Sequence, residues 1–382
     1  MNLTRFQVSF LSACLAFPIL LLMKVIGGID NAAGIFAVGL VSLLVVFLVP
    51  RLYFREGPPK HDPFYNVWSI FLFASIVDMI VALENDGYVG RYLHFYFLQG
   101  EPYLKTPYGT MICYWDGCVH LALVLLILSI TAYNEEYRLA CLYWCGSILN
   151  SVAVLVPGGI IGKFGPKWSI LLNVPYIVIP LYILFRVLSS KSAGTRNVST
   201  ARPKGPVEIL FAVCFVAFIV INGFRALVAL DCKADITKTY LKDIEPFLAD
   251  DTAFPKMQLL VYLFYFLPYY VYAVYRLMYP EASNGMMTDL AFVHAGAAAQ
   301  AQFVYLTTAV HSRTPSNFQI PSSTTAQYCF WIINIALLVV PHLFAYRCVT
   351  SQSKGGTNAS STPVKQSNSG SSSPYNLRKR RE

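Results

Sequence analysis

Apolar residues run in long, nearly unbroken stretches, with neither the strict alternation of a strand nor the one-sided stripe of a surface helix. The stretches lie near 7–26, 32–52, 64–83, 110–131, 138–159, 168–188, 207–230, 257–279, 289–311 and 327–349. About 20 residues rising about 1.5 Å each cross a hydrocarbon layer of about 30 Å. The pattern therefore predicts an all-α polytopic membrane protein with about ten transmembrane helices. Asn150 and Ser151 interrupt the fifth stretch, which leaves counts of eight or nine open. Only Arg5 precedes the first stretch, and a second apolar stretch follows within a few residues, so the first reads as an uncleaved helix.

The stretches are organised as a repeat. Glu101-Pro102-Tyr103-Leu104 recurs as Glu245-Pro246-Phe247-Leu248, and Val81-Ala82-Leu83-Glu84 recurs as Val228-Ala229-Leu230-Asp231. Pro180 with Arg186 is matched by Pro341 with Arg347. Three landmarks in one order predict two tandem four-helix bundles, 60–188 and 206–349. A two-helix extension (1–55) precedes them, a linker (189–205) joins them and a tail (350–382) follows. From Ser351 the tail is rich in Ser, Asn, Gly and Thr and ends in Arg378-Lys379-Arg380-Arg381. It cannot bury enough apolar area to offset its chain entropy, so disorder is expected.

Composition supports the membrane reading. Of 382 residues 56% are hydrophobic and 13% charged, against about a quarter charged in soluble domains. A single water-soluble enzyme is excluded. The formal charge of +9 would suit nucleic acid, but its cations sit in short loops and the tail. Arg51, Arg55, Arg138, Arg186, Lys191, Arg196, Arg202, Lys204, Arg276 and Arg347 all fall on the side that holds both termini. Cytoplasmic loops collect Lys and Arg, so both termini are expected in the cytosol, with the sequons at Asn2, Asn197 and Asn358 unused. The terminal basic cluster reads as a topology determinant or lipid contact, or as a dibasic endoplasmic-reticulum retrieval signal. The nine cysteines lack the spacing of a disulfide or zinc framework. Neither metal nor cofactor is expected, because phosphate loops, nucleophile elbows and metal-site motifs are all missing.

Ionisable residues inside a membrane usually face the bundle interior and have a use. Asp78 and Asp116 are predicted at similar depth in successive helices, and His120 shares a helix face with Asp116. One reading makes Asp78, Asp116 and His120 a pocket for a polar headgroup or cationic ligand. The other pairs Asp78 with Arg225, its counterpart in the repeat, and lets His120 donate to a backbone carbonyl. Counting from the Glu-Pro landmarks, Asp116 matches Leu260 and His120 matches Phe264, so an active pocket belongs to the first bundle. Glu101 and Glu245 are expected to cap the helices that follow them. Glu101 remains a ligand-binding candidate. His294, Gln300 and Gln302 read as packing and hydrogen-bonding groups in the ninth helix. The Tyr and Phe residues of 262–275 would suit a flat sterol-like ligand or simple packing.

With Gly100-Glu101-Pro102-Tyr103-Leu104 come Cys113-Tyr114-Trp115-Asp116-Gly117, Leu230-Asp231-Cys232, Phe254-Pro255-Lys256, His294-Ala295-Gly296 and Gln300-Ala301-Gln302-Phe303. On these the chain resembles the transmembrane 6 superfamily over about 1–350. The resemblance implies ten spans, two EXPERA modules of the kind found in the emopamil-binding sterol isomerase and the sigma-2 receptor, and a role in lipid and lipoprotein handling at endoplasmic-reticulum or endolysosomal membranes. The isomerase's His and Glu set is incomplete here, with Asp78 and Glu84 but no histidine in the first helix. The sigma-2-like pair of acids fits Asp78 better. The expected function is binding of sterol or another lipid and regulation of lipid metabolism. A sterol isomerase-like enzyme using Asp116, His120 and Asp78, and a membrane assembly scaffold, are the alternatives. The expected partners are membrane lipids or sterol and lipid-handling membrane proteins, with no nucleic acid.

Overall fold

The computed structural model describes residues 3–26, 29, 31–55, 63–133, 135–190, 205–279 and 286–359. Among them nine helices are long and apolar enough to cross a membrane. The first is broken at Cys14 and Leu15 into α1 (Arg5–Ala13) and α2 (Ala16–Val25). A capping box opens α1: the Thr4 side chain accepts from the Gln7 N–H, and the Gln7 side chain accepts from the Thr4 N–H. Then come α3 (Ala32–Tyr53) and α4 (Tyr65–Asn85). The fourth span joins α5 (Pro107–Trp115) to α6 (Leu121–Ala132) through a π turn at Asp116–His120. After α7 (Arg138–Ile161), a 3-10 turn at Trp168–Asn173 leads into α8 (Val174–Ser189).

The later helices are α9 (Pro206–Ala229), a short α10 (Asp235–Asp243), and α11 (Phe254–Val261) joined to α12 (Leu267–Met278) by a π turn at Tyr262–Phe266. They end with α13 (Met286–Val310) and α14 (Thr324–Ala359). All ten predicted stretches coincide with a helix. α13 is less apolar than the other nine, and its His294, Gln300 and Gln302 side chains are enclosed by protein rather than lipid. α14 stays helical to Ala359, past the expected start of the tail at Ser351. Each residue added to an existing helix gains one hydrogen bond, so a long helix readily overruns a change in composition. Most of the linker, residues 360–382 with the terminal cations, and the sequons at Asn2 and Asn197 lie outside the described residues.

Asn150 and Ser151 do not break α7. Both are buried, and α7 packs along α13 at the centre of the molecule. Two glycines permit this approach. A Cβ on Gly146 would sit 1.8 Å from the Val293 carbonyl oxygen, and one on Gly296 would sit 2.0 Å from that of Tyr143. Small residues that let backbones meet are the usual means of helix association in lipid. At the crossing the Asn150 amide donates to Gln300 (2.5 Å) and Gln258 (3.1 Å), so the polar groups that punctuate the apolar pattern bond one another. Large side chains on the outer faces of α3, α8 and α9, such as Leu48, Phe185 and Val220, are exposed, as lipid-facing residues should be.

Candidate functional site

A cavity of about 190 Å³ lies among α2, α3, α4, α5, α7 and the start of α8. On the same measure a single water needs about 10–15 Å³. Most of the wall is aliphatic and aromatic. Asp78, Glu101, Asp116 and His120, four candidates scattered through the sequence, all border it.

α4 presents Asp78 and the π turn presents Asp116. Gly117 brings these backbones together, since a Cβ there would meet the Met79 Cα at 2.7 Å. Asp78, Asp116 and Glu101 thus bring three acids to the wall of one cavity. The expected Asp78–Arg225 pair does not form. Arg225 instead pairs with Glu245 at 3.0 Å, with both side chains fully buried, because the loop after α9 folds Glu245 back beneath it. Asp78 makes no hydrogen bond or ion pair among the described residues.

Asp116 and His120 form one polar chain. His120 Nδ1 lies 2.8 Å from Asp116 Oδ1, and His120 Nε2 lies 2.7 Å from Ser147 Oγ. Trp115 Nε1 donates to Ser147 Oγ at 2.8 Å. Since the indole can only donate, the Ser147 hydroxyl is free to donate to His120 Nε2, while Nδ1 sits at contact distance from Asp116 Oδ1 without the geometry of a hydrogen bond. The expected backbone-carbonyl partner of His120 is replaced by these side chains, two from its own helix and Ser147 from α7.

Glu101 does not cap α5. Thr106 does, its hydroxyl accepting from the Gly109 N–H. The Glu101 carboxylate turns inward and accepts from Tyr96 Oη (2.5 Å), Tyr103 Oη (2.5 Å) and Asn173 Nδ2 (2.7 Å). Burial pushes its pKa up, and these three donors pull it part of the way back. Glu245 likewise caps nothing: besides Arg225 it accepts from Tyr305 and Asn334, each at 3.4 Å.

The second set of helices lacks the acidic grouping. Its π turn begins at Tyr262, two residues later relative to Glu245 than Asp116 is to Glu101, so Tyr262 and Phe266 replace the expected Leu260 and Phe264 as structural counterparts. Tyr262, Phe266 and Tyr270 are fully buried and packed around Arg225 and His294. His294 stacks on Tyr269 at 3.8 Å and neither of its nitrogens has a partner. Gln302 donates to Tyr262 Oη at 2.7 Å. These residues pack closely on one another, and His294 makes none of the hydrogen bonds a bonding group in this helix would make.

Sequence reasoning missed Tyr96, Asn173, Ser147 and the wall supplied by α2 and α3. Tyr96 was open to discovery, since it stands five residues before Glu101 as Tyr240 stands before Glu245. Asn173 and Ser147 had no such signal.

Fold and site together define an all-α, polytopic membrane protein with an acid-lined cavity between its helices. Residues 15–198 match the family described as Transmembrane 6 superfamily member 2-like, transmembrane domain. The chain is 37% identical over 324 residues to Transmembrane 6 superfamily member 2 of Homo sapiens, spanning 82% of this chain and 85% of that protein. It is 36% identical over 345 residues to the Mus musculus protein, spanning 87% and 90%. The chain belongs to the transmembrane 6 superfamily, member 2-like. No solved structure matches it.

Proposed function

We propose that this protein binds a sterol or another lipid in the cavity beside Asp78, and thereby regulates lipid metabolism and lipoprotein or triglyceride trafficking from the endoplasmic-reticulum membrane, with both termini in the cytosol. One observation carries the reading. The Asp78 carboxylate borders an apolar cavity without a partner, whereas Arg225, the residue the repeat sets in its place, neutralises Glu245. A carboxylate facing an apolar space without a counter-charge is costly. A guest whose apolar body fills the cavity and whose cationic or hydrogen-donating end meets Asp78 and Asp116 removes that cost. Membrane lipids or sterol are the ligands this predicts, and lipid-handling membrane proteins are the partners such a role calls for.

The test is binding of a labelled sterol and of an amphiphilic amine to the full chain in phosphatidylcholine nanodiscs. Asp78→Asn and Asp116→Asn are expected to weaken binding at least about tenfold, the effect of losing one charged hydrogen bond or slightly less, while the thermal midpoint stays near that of the wild type. Isomerised sterol among the products would replace this reading with the enzyme reading, in which Asp116, His120 and Asp78 move protons. Normal binding by both folded variants would remove the cavity from consideration.

A further inference from the structure

A second hollow, of about 460 Å³, opens on another side of the molecule between α5, α7, α13 and α14. It is distinct from the acidic cavity and does not depend on the function proposed for it. Trp115 stands between the two: its indole N–H is tied to Ser147, while its ring packs against Phe303, 5.1 Å between ring centres, and the two rings form one wall of the groove. From Trp331 to His342 the groove follows α14 for eleven residues, about 16 Å at the helical rise. Aromatic and aliphatic side chains form its walls, and none of the lining residues is an acid, a lysine or an arginine.

The polar end of the groove is Tyr143 with His342. His342 Nδ1 lies 2.7 Å from the Leu338 carbonyl oxygen. A carbonyl only accepts, so Nδ1 carries the hydrogen and Nε2 presents a lone pair. The Tyr143 hydroxyl, 3.0 Å from Nε2, must then be the donor of that bond. Its oxygen keeps an unused acceptor site, and both rings line the groove. At this end the groove therefore lacks a neutral hydrogen-bond donor; Thr307, the other hydroxyl in its lining, gives its hydrogen to the Phe303 carbonyl and supplies no donor. Depth narrows the choice further: Tyr143 is five residues inside α7, about 8 Å along the axis from Arg138. A lipid whose head bonded Tyr143 would hold that head within hydrocarbon, where a phosphate or ammonium is expensive and a hydroxyl tolerable.

We propose that this groove is a lipid site selective for a neutral lipid whose head group is a hydroxyl. The hydroxyl donates to Tyr143 Oη and the apolar body lies along α14 against Trp115, Phe303 and Trp331. The volume falls within the range of ordinary small-ligand pockets.

Photoreactive cholesterol provides the probe, in phosphatidylcholine nanodiscs holding the full chain, with adducts mapped by mass spectrometry. Adducts are expected on α13 and α14 within the groove, displaced by excess cholesterol but not by cholesterol methyl ether, which keeps the body and loses the donor. Tyr143→Phe is expected to lower groove adducts about fivefold, the worth of one neutral hydrogen bond. Thr307→Trp, which fills the groove, is expected to abolish them, and both variants should keep the wild-type thermal midpoint and leave any adducts outside the groove unchanged. Displacement by dioleoylglycerol as well would support the class of ligand and broaden its members. Equal displacement by the methyl ether, equal groove labelling by a photoreactive phosphatidylcholine, or an unchanged yield in folded Tyr143→Phe would overturn the proposal and leave the groove occupied by bulk acyl chains.

Discussion

Glu101 holds a buried carboxylate, and three donors surround it. Burial and the neighbouring charge push the Tyr96 and Tyr103 phenols well above their ordinary range, so both remain protonated and able to donate. The pKa of Glu101 itself is raised, chiefly by desolvation. The folded state therefore keeps a proton that the unfolded chain releases near pH 4.3. The stabilising contribution of this group is complete below that pH and is lost as pH rises through the higher, folded value. Glu101→Gln removes the titration. Its thermal midpoint relative to the wild type should therefore rise between about pH 4 and pH 7, measured in one detergent at constant ionic strength. A constant difference across that interval would show that the carboxyl titrates alike in both states.

At the scale of elements, the α7–α13 crossing fixes where everything else can lie, because α7 carries one wall of the acidic cavity and α13 one wall of the groove. Gly146→Ala would drive a methyl into the Val293 carbonyl. Overpacking costs about 1–3 kcal/mol where neighbours can adjust, and a backbone oxygen cannot, so the cost should reach the top of that range. Gly90→Ala is the control, since its Cβ would meet only the flexible Lys24 ammonium at 3.6 Å. Thermal unfolding in detergent should show a large drop for the first and almost none for the second. Such a crossing was only half legible in the sequence. The helices could be read because each span must satisfy its backbone internally within its own twenty or so residues. The partners of Asn150 could not, because Gln258 and Gln300 are more than a hundred residues away and only packing brings them together. The same holds for the site. Asp78, Asp116 and His120 stood out as polar groups in apolar runs, while Asn173 and Ser147, in unremarkable settings, became visible only once the helices had been assembled.

Across the whole molecule, ion pairs tie distant parts of the chain together at both ends of the helices: Arg138 with Asp289, Arg313 with Asp86 and Arg347 with Glu208. The interior contrast lies elsewhere. Around Glu245 an arginine closes the acidic position, and around Glu101 an aspartate leaves it open. If the two halves are copies, exchanging that one residue should exchange their properties. Asp78→Arg places a guanidinium beside Glu101, where the charge-assisted bonding available to Glu245 becomes available to it. The variant is expected to fold, to unfold at or above the wild-type temperature, and to lose sterol and amine binding in the cavity at least about tenfold. The opposite exchange, Arg225→Asp, leaves Glu245 buried beside a like charge and should cost about 3–5 kcal/mol, the usual penalty for breaking a buried pair. Thermal unfolding and nanodisc binding of the two variants read both outcomes. A stable Asp78→Arg protein that binds as the wild type does would place the guest elsewhere, and a stable Arg225→Asp protein would show that the helices around Glu245 tolerate an acid without its arginine.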